Sequence, residues 1–548
     1  MINLKLNNAI TPQLGSQVAF KRKEVVSKEN NPQNPVIVKN PSAYNNATIH
    51  TSWFYVNDVH GKMTKMERIY NMAQEFDGTS LIQNFGFFKN SADSRIEKFK
   101  VASGDIFVGS NPKNNRVASN FLKWSGFIAS ALGNHEMDVI EPGDLSEFIQ
   151  NSDCKMLALN VEVKPDSPLF ERFEKSIIIE RNGEKFGIMG IAPSDMLERV
   201  KSNKSLSDIK VEDIEQTIKS IQKEIDNLKS QGINKIVLLS HSGISNDKKI
   251  AQETSGIDLI FGGHTHELVN GIEKGVNMFY SKAGEPVIIT QAGKNGEYVG
   301  ILNADFDDKG IIVKAQNNVI PTNMYNRPLP IKDSVENIIG KPEIVGKVNE
   351  AVPMPKNILL EDNPHGNLIA DAMRSELGAD IALLNTANIR GYFTPHSEID
   401  SRLLADITPF EDKMMLLSLS EKQIVDIIKH GLETSFNNKT HKPGIMLVSG
   451  MKYKCNTKGE LLSLDYIDKN NVLHPIDVKN PSPDKKYTVA ADDFIATGGD
   501  NYLPTNTNPD YVIKTFDYDK NKLACDYIKK LPQPIDIKYD GRLEIVED

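Results

Sequence analysis

The chain has 548 residues, which predicts two or more domains, because one hydrophobic core rarely extends beyond about 250–300 residues. Its composition, 39% hydrophobic and 25% charged, is that of an ordinary globular protein, and the net charge of −9 argues against a general nucleic-acid-binding surface. Three widely spaced cysteines without a CxxC pattern argue against a disulfide framework or a cysteine-based zinc site.

The first 48 residues are rich in Asn, Lys, Pro, Gln and Ser, and this composition predicts a flexible N-terminal tail over 1–48. The N-terminus has no uninterrupted apolar segment of signal-peptide length. No stretch approaches the roughly 18 apolar residues that span a bilayer. By sequence we therefore expect no membrane span, and a cytoplasmic location is favoured.

A layered α/β domain is predicted over 49–321. Four short apolar runs each end just before a polar cluster, at 53–56, 99–101, 236–239 and 257–261. Each run predicts a buried strand that delivers polar side chains at its C-terminal end, where α/β sheets place their sites. Apolar residues recurring every three or four positions predict an intervening helix: Ile214, Ile218, Ile221, Ile225 and Leu228.

Residues 322–350 carry scattered prolines and are predicted to form a linker. A second α/β domain is predicted over 351–548. It begins with a helix-like segment at 366–377 and a strand-like run at 381–384. Ser420 and Gln423 have the spacing of a capping box, which predicts the start of a further helix.

Five polar clusters follow one another within the first 270 residues. They are Asp58-Val-His60, Gly104-Asp105, Gly133-Asn134-His135-Glu136-Met137-Asp138, Ser240-His241 and Gly263-His264-Thr265-His266. Taken singly, each has an ordinary explanation, such as a turn, a helix cap at Asn134 or a structural histidine. Together they supply enough carboxylate, amide and imidazole ligands for two divalent cations that share one carboxylate. Such a pair generates hydroxide from water and stabilises displacement at phosphorus, so the sequence predicts a metal-dependent phosphoester hydrolase.

The order of these motifs resembles that of the calcineurin-like binuclear metallophosphoesterases, and in particular the two-domain 5′-nucleotidases. The resemblance extends into the second domain. It implies an N-terminal four-layer α/β/β/α metallophosphoesterase sandwich and a C-terminal α/β domain of the 5′-nucleotidase type. It also implies an active site between the domains that substrate reaches by domain rotation. By this resemblance the protein would work outside the cytoplasm.

The resemblance implies two metal sites bridged by one carboxylate. One metal would be held by Asp58, His60, Asp105 and His266, and the other by Asp105, Asn134, His241 and His264. This mixture of ligands suits zinc, manganese or iron. His135 would not bind metal; oriented by Asp138, it would stabilise the transition state or act as general acid.

The second domain resembles the family's nucleotide pocket at three segments. Phe494, ahead of a glycine pair, and Phe410 would sandwich a nucleobase, and Asp500 would accept hydrogen bonds from the ribose. The segment 385–390 resembles the family's Asn-Gly-Gly-Gly-Ile-Arg, so Asn385 and Arg390 would bind substrate, with Arg390 as a fork for the phosphate. Either phenylalanine alone would more often belong to a core.

Two departures from the family pattern bear on the substrate. By the resemblance, Thr386, Ala387 and Asn388 replace the glycines of the phosphate loop, and the family's upstream phosphate-binding arginine falls at or near Glu361. Fewer cations favour a nucleoside monophosphate or a cyclic phosphodiester over a triphosphate. The predicted function is release of phosphate from nucleotides, as in a 5′-nucleotidase. The alternatives are a 2′,3′-cyclic nucleotide phosphodiesterase, a nucleotide-sugar hydrolase and, in a different class, a non-catalytic nucleoside-binding protein.

Overall fold

The computed structural model describes residues 36–37, 49–78, 96–200, 203–324, 331–410, 412–437, 443–504 and 510–547. Most of the predicted N-terminal tail lies outside these residues. Within it, the backbone of Val36–Ile37 pairs antiparallel with Lys314 and Ala315 at the edge of a sheet.

The N-terminal part is built from two mixed sheets and the helices that cover them. Its strands are β1 (Val36–Ile37), β2 (Ile49–Val56), β3 (Ile96–Ala102), β4 (Ala129–Ala131), β5 (Lys155–Leu157), β6 (Val161–Val163), β7 (Ser176–Arg181), β8 (Glu184–Ile191), β9 (Ile209–Val211), β10 (Ile236–Ser240), β11 (Leu259–Phe261), β12 (Met278–Tyr280), β13 (Pro286–Thr290), β14 (Tyr298–Phe306) and β15 (Ile312–Pro321). Its α-helices are α1 (Met63–Asp77), α2 (Pro112–Ser125), α3 (Pro142–Asn151), α4 (Met196–Arg199), α5 (Lys204–Ser207), α6 (Ile214–Ser230) and α7 (Ile244–Glu253).

The two sheets pack face to face between two helical layers. The strand order is β1-β15-β14-β2-β3-β4-β5 in the first sheet and β12-β13-β11-β10-β8-β7 in the second. Alternation along β2 shows the layering, since Trp53 packs between the sheets while Phe54 packs beneath α1 and α2. Helices α6 and α7 cover the outer face of the second sheet. The predicted four-layer α/β/β/α sandwich is confirmed.

Parallel pairing brings the polar clusters to one edge of the sandwich. Strands β2 to β5 run parallel in the first sheet, and β8, β10, β11 and β13 run parallel in the second. Asp58, Asp105 and Asn134 follow β2, β3 and β4, while His241 and His264 follow β10 and β11. The carboxyl ends of parallel strands meet at the same edge, so these five side chains converge although they are far apart in sequence.

The C-terminal part is a second α/β unit. Its strands are β16 (Ile344–Ala351), β17 (Ile381–Asn385), β18 (Glu398–Asp400), β19 (Met414–Ser420), β20 (Met446–Ser449), β21 (Met451–Asn456), β22 (Leu461–Ile467), β23 (Leu473–Ile476), β24 (Lys486–Asp492), β25 (Val512–Thr515), β26 (Ile535–Ile537) and β27 (Leu543–Val546). Its α-helices, together with one that precedes it, are α8 (Lys332–Ile339), α9 (Pro364–Leu377), α10 (Ser401–Ile407), α11 (Glu421–Asn437), α12 (Asp493–Ala496) and α13 (Lys520–Lys530). The central sheet, β20-β17-β24-β19-β25, buries one face against α9 and α13 and the other against α11.

The predicted linker, 322–350, contains helix α8 and most of strand β16, which pairs with β18 and β26 of the C-terminal unit. The domain boundaries themselves stay predictions. The capping box at α11 is present, because the Ser420 backbone N–H donates to Gln423 Oε1 (2.9 Å) and the Gln423 N–H donates to Ser420 Oγ (3.2 Å). Among the helices of the described residues, none has the length and apolar character needed to cross a bilayer.

The two parts meet beside the edge where the polar clusters converge. Lys62, just before α1, donates from Nζ to the carbonyl oxygen of Asp406 in α10. Thr64 Oγ1 donates to the Asp406 carboxylate at 3.0 Å. Arg402 pairs with Glu67 at 3.4 Å, and both side chains are largely buried. Helices α1 and α10 are therefore joined by polar contacts.

Candidate metal centre

Two buried carboxylates, those of Asp58 and Asp105, form the middle of the converging cluster. His241 Nε2 lies 3.1 Å from Asp105 Oδ2 and 3.9 Å from Asp58 Oδ1. His60 Nε2 lies 3.4 Å from Asp105 Oδ2 and 3.8 Å from Asp58 Oδ1. His266 Nε2 lies 3.2 Å from Asp58 Oδ1. Asp58, His60 and His266 offer ligand atoms within 4.8 Å of one another, and so do Asp58, Asp105 and His241.

The outward ring nitrogens of two central histidines are fixed by hydrogen-bonding partners. His60 Nδ1 faces Asn295 Oδ1 at 3.0 Å, and His241 Nδ1 faces the Ser103 carbonyl oxygen at 2.6 Å. The Nε2 atoms of both rings therefore point inward, where they are buried without a hydrogen-bond partner among the described residues. Unpartnered buried nitrogens beside two carboxylates are the donor set that a divalent cation fills, so the residues present fit a metal.

The other side of the cluster is formed by His264 and Asn134. His264 Nδ1 lies 3.1 Å from Asn134 Oδ1, and its ring lies edge-on to that of His241 with centroids 5.1 Å apart. Asn134 precedes a short 3₁₀ helix, His135–Asp138, but its side chain makes no capping hydrogen bond. The helix-cap explanation of Asn134 therefore fails. The structure brings together all seven predicted ligands.

Five of these ligands adopt a backbone conformation that is uncommon for residues other than glycine. Positive φ angles occur at Asp58 (51°), His60 (51°), Asp105 (53°), His264 (75°) and His266 (59°). Each such residue costs on the order of 1–3 kcal/mol and persists only where surrounding contacts hold it. Here the Asp58 N–H donates to the Gly104 carbonyl oxygen (3.0 Å) and the His60 N–H donates to that of Asp105 (2.8 Å), so two ligand loops brace each other.

Charge balance in the cluster depends on the imidazoles. Burial opposes ionisation of Asp58, but His266 and His241 outweigh it and hold the pKa of this carboxyl below its ordinary value. The pKa of Asp105 is also well below its ordinary value, because His241 and His135 outweigh its burial. Burial lowers the pKa of His266 to about 3 and also lowers that of His60. The rings of His266 and His60 are therefore neutral at pH 7, and neutral imidazole is the form that binds metal.

His135 lies at the edge of the cluster, beside two predicted substrate residues of the C-terminal part. Its Nδ1 is held by Asp138 Oδ2 at 2.7 Å. Its ring centroid lies 6.3 Å from that of Phe410, and the Arg390 guanidinium carbon lies 5.5 Å from the Phe410 ring centroid. Asn295 Nδ2 contacts the Arg390 carbonyl oxygen at 3.5 Å. The structure thus places Arg390 and Phe410 beside the predicted ligand cluster, and their binding of substrate stays a prediction.

The other predicted substrate residues lie on neighbouring segments of the C-terminal part. Phe494 lies on α12, half-buried, with Gly499 packed against its ring. Asp500 follows, and its carbonyl oxygen accepts a hydrogen bond from His430 Nε2 at 2.7 Å. Asn385 ends β17 and accepts a hydrogen bond from Asn388 Nδ2 at 3.0 Å. A base sandwiched between Phe410 and Phe494 stays a prediction.

Glu136 is a buried positioning residue that the sequence did not single out. Its carboxylate accepts hydrogen bonds from four backbone N–H groups, those of Asp105, Ile106, Phe107 and Gly133, at 2.7–3.2 Å. It therefore joins the loop that carries Asp105 to the loop that carries Asn134. Close packing leaves no room for a side chain at Gly133, where an added Cβ would collide with Asp105 Oδ1.

Asp195 and Asn295 contact two of the predicted ligands, and the sequence did not single out either residue. Asp195 Oδ1 faces His264 Nε2 at 3.2 Å, while its other oxygen accepts from Arg199 Nε at 2.8 Å. Asn295 Oδ1 lies 3.0 Å from Nδ1 of His60, the ring nitrogen that faces away from the carboxylates. Neither residue stands in a recognisable metal motif. Asn295 follows Gly293 by two positions and precedes Gly296, so its surroundings in sequence indicate only a turn.

We expect Glu136→Gln to lower the free energy of unfolding by about 1–3 kcal/mol, because an amide NH₂ would then face backbone donors in a buried site. The loops that carry Asp105 and Asn134 would lose their common acceptor, so metal content should fall as well. Denaturant unfolding and elemental analysis measure the two effects. Glu147→Gln, an exposed change on α3, is the control, and unchanged stability and metal content in Glu136→Gln would contradict this role.

We expect Asp195→Asn to weaken metal binding by about 10–100-fold, since outer partners of ligating histidines have effects of this size. The effect should fall on metal binding through the predicted ligand His264. Titration against a chelator of known affinity would measure it. The exposed Asp166→Asn provides a matched control, and equal affinities in both variants would show that Asp195 does not orient His264.

Comparisons with known proteins agree with this geometry. Residues 54–268 match the family model of the calcineurin-like phosphoesterases, and residues 344–506 match that of the 5′-nucleotidase C-terminal domain. The chain is 28% identical to a 5′-nucleotidase of Diplobatis ommata, an alignment covering 90% of this chain and 89% of that protein. It is 26% identical over 502 residues to the trifunctional nucleotide phosphoesterase protein YfkN of Bacillus subtilis, covering 81% of this chain but 32% of that longer protein.

Among solved structures, a 5′-nucleotidase precursor from Thermus thermophilus matches with a TM-score of 0.70 and 22% identity, covering 91% of this chain and 99% of that one. This match supports the two-part fold. The two family models cover both halves, including all seven predicted ligands, and the first of these families implies divalent metal ions. The chain belongs to the 5′-nucleotidase family of calcineurin-like phosphoesterases and is a hydrolase acting on phosphoester bonds.

Proposed function

We propose that this enzyme releases phosphate from nucleoside monophosphates. The proposal rests above all on one juxtaposition at the edge of the ligand cluster, where the Phe410 ring of the C-terminal part lies beside His135 and the Arg390 guanidinium lies over the Phe410 ring. An aromatic ring, a guanidinium and a metal-ligand cluster in contact suit a substrate with a flat base and a phosphate. The 5′-nucleotidases among the relatives support the same substrate class.

The predicted ligands would hold two divalent cations, with Asp105 shared between them. Asp58, His60 and His266 would complete one site, and Asn134, His241 and His264 the other. Bound there, two such cations would lower the pKa of a water molecule and withdraw charge from the phosphoryl oxygens. The ligands contain no thiolate, and their imidazole and carboxylate groups suit zinc, manganese or iron.

The chain's own residues would bind and orient the substrate. Arg390 is oriented by a hydrogen bond from its Nε to the Ala387 carbonyl oxygen at 2.8 Å, and burial lowers its pKa while the nearby charges of Asp138 and Asp105 oppose that effect. Its planar fork would bind two phosphoryl oxygens. His135, held at Nδ1 by Asp138, would present Nε2 to the leaving-group oxygen and donate a hydrogen bond or a proton there.

A substrate panel tests this proposal. We expect adenosine 5′-monophosphate to be hydrolysed with added manganese or zinc, and activity to disappear with a chelator. Arg390→Met should lower kcat/KM by roughly 10–100-fold, because hydrogen bonds to charged groups contribute about 1.5–3 kcal/mol. Phosphate release is the measurement. Asp105→Ala removes the bridging ligand and should abolish activity, while the exposed Arg116→Met should match the wild type.

The panel should also contain a 2′,3′-cyclic nucleotide and a nucleotide sugar. Hydrolysis of either one without hydrolysis of any monophosphate would replace the proposed substrate class. A protein that retains two metal equivalents and binds nucleosides but hydrolyses no member of the panel would instead be a binding protein.

A further inference from the structure

Lys520 is a fully buried cation on the first turn of α13, behind the predicted nucleoside pocket. Burial penalises an unpaired charge, and the positive end of the helix dipole repels a cation at the start of a helix. A charged lysine at this position is therefore unfavourable for two reasons. The lysine is compensated by oxygen atoms from two separate segments. Burial opposes its charge, but Asp412 and Asp492 outweigh it and raise the pKa of Lys520. Lys520 therefore holds together two segments that each place an aspartate near its ammonium group.

One of these segments carries Phe410. Lys520 Nζ donates to the Phe410 carbonyl oxygen at 2.9 Å and lies 3.5 Å from Asp412 Oδ2. The next residue, Asn521, donates from Nδ2 to the Thr408 carbonyl oxygen at 2.8 Å and accepts from Thr408 Oγ1. The start of α13 thus holds the Thr-Pro-Phe loop on both sides of its proline, which fixes the backbone from which the Phe410 ring projects.

The other segment carries Phe494. Asp492 is fully buried, and its Oδ2 lies 3.6 Å from Lys520 Nζ. Its Oδ1 accepts from the Ile495 N–H at 3.1 Å and so caps α12, the helix that bears Phe494. The same carboxylate accepts from Asn388 Nδ2 at 3.2 Å, and Asn388 also donates to Asn385. Asp492 therefore connects the Phe494 helix with the loop that leads to Arg390.

We propose that Lys520 is a positioning residue for nucleoside recognition, which fixes the Phe410 loop relative to the Phe494 helix and the Asn385–Arg390 loop through Asp492. This inference rests on the proposed function, which supplies the nucleoside. Lys520 does not contact substrate; it acts by holding the backbones of the segments that do. Two rings can enclose a base only at a fixed separation, so loss of the shared cation should weaken binding of the base and leave metal chemistry intact.

The test compares a substrate with a base and one without. Lys520→Met removes the charge but keeps the length of the side chain, and Lys522→Met, an exposed change on the same helix, is the control. In the metal-loaded full chain, Lys520→Met should raise KM for adenosine 5′-monophosphate by about tenfold, the scale on which preorganisation affects affinity. Hydrolysis of glycerol 2-phosphate should change by less than about twofold, because no base is bound. The affinity for adenosine, measured by calorimetry, should fall in parallel with the rise in KM.

The outcomes separate the two proposals. Equal losses on both substrates would mean that Lys520 acts on the whole fold, and no loss on either would mean that the segments hold without it; each result overturns the inference. Should Lys520→Met not fold, Asn521→Ser loosens the same loop from its other side and must raise KM for the nucleotide selectively. A wild-type enzyme that hydrolyses glycerol 2-phosphate but no nucleotide would refute the proposed function instead.

Discussion

Two carboxylates buried at one sheet edge, Asp58 and Asp105, impose the constraint on which the rest of the site depends. Buried like charges this close are stable only when positive charge lies between them. Imidazoles from three other loops surround the pair, and a cation fits the remaining inward nitrogens. Ligand loops with positive φ add strain of their own, so metal binding and the stability of this edge should be strongly coupled.

Much of this edge could be predicted because a strand and its polar terminus are adjacent in sequence. An apolar run that ends just before Asp58, Asp105 or His241 indicates both a buried strand and the predicted ligand that follows it. Because these strands pair in parallel, their carboxyl ends lie at the same edge of the sandwich. The alternation of Trp53 and Phe54 between two cores similarly follows from the two-residue period of a strand. The fold class, which is confirmed, and the predicted ligand set therefore both come from local patterns and a family resemblance.

The residues that orient the ligands could not be found in this way. Glu136 lies inside a predicted cluster, but its role depends on four N–H groups from two loops, which only the folded chain brings together. Asp195 and Asn295 act on His264 and His60 from distant loops, in segments without any metal motif. An orienting contact needs only one acceptor in the right place in the folded chain. It does not require a fixed number of residues between the acceptor and the histidine, so no motif in the sequence reveals it.

The contacts between the two parts bear on how substrate reaches the metals. The contacts that join the start of α1 to α10 are polar in the part of the chain that the structure describes. One of them is made by a buried lysine, Lys62, and burial lowers the pKa of this lysine to about 8. Polar interfaces are typical of domains that move relative to each other, since water can replace the lost partners. Arg390 and Phe410 contact the metal-ligand part, whereas Lys520 and Asp492 hold their segments entirely within the C-terminal part. The segments that we propose to bind the nucleoside can therefore move as one body, keeping their mutual geometry while the contacts between the two parts open.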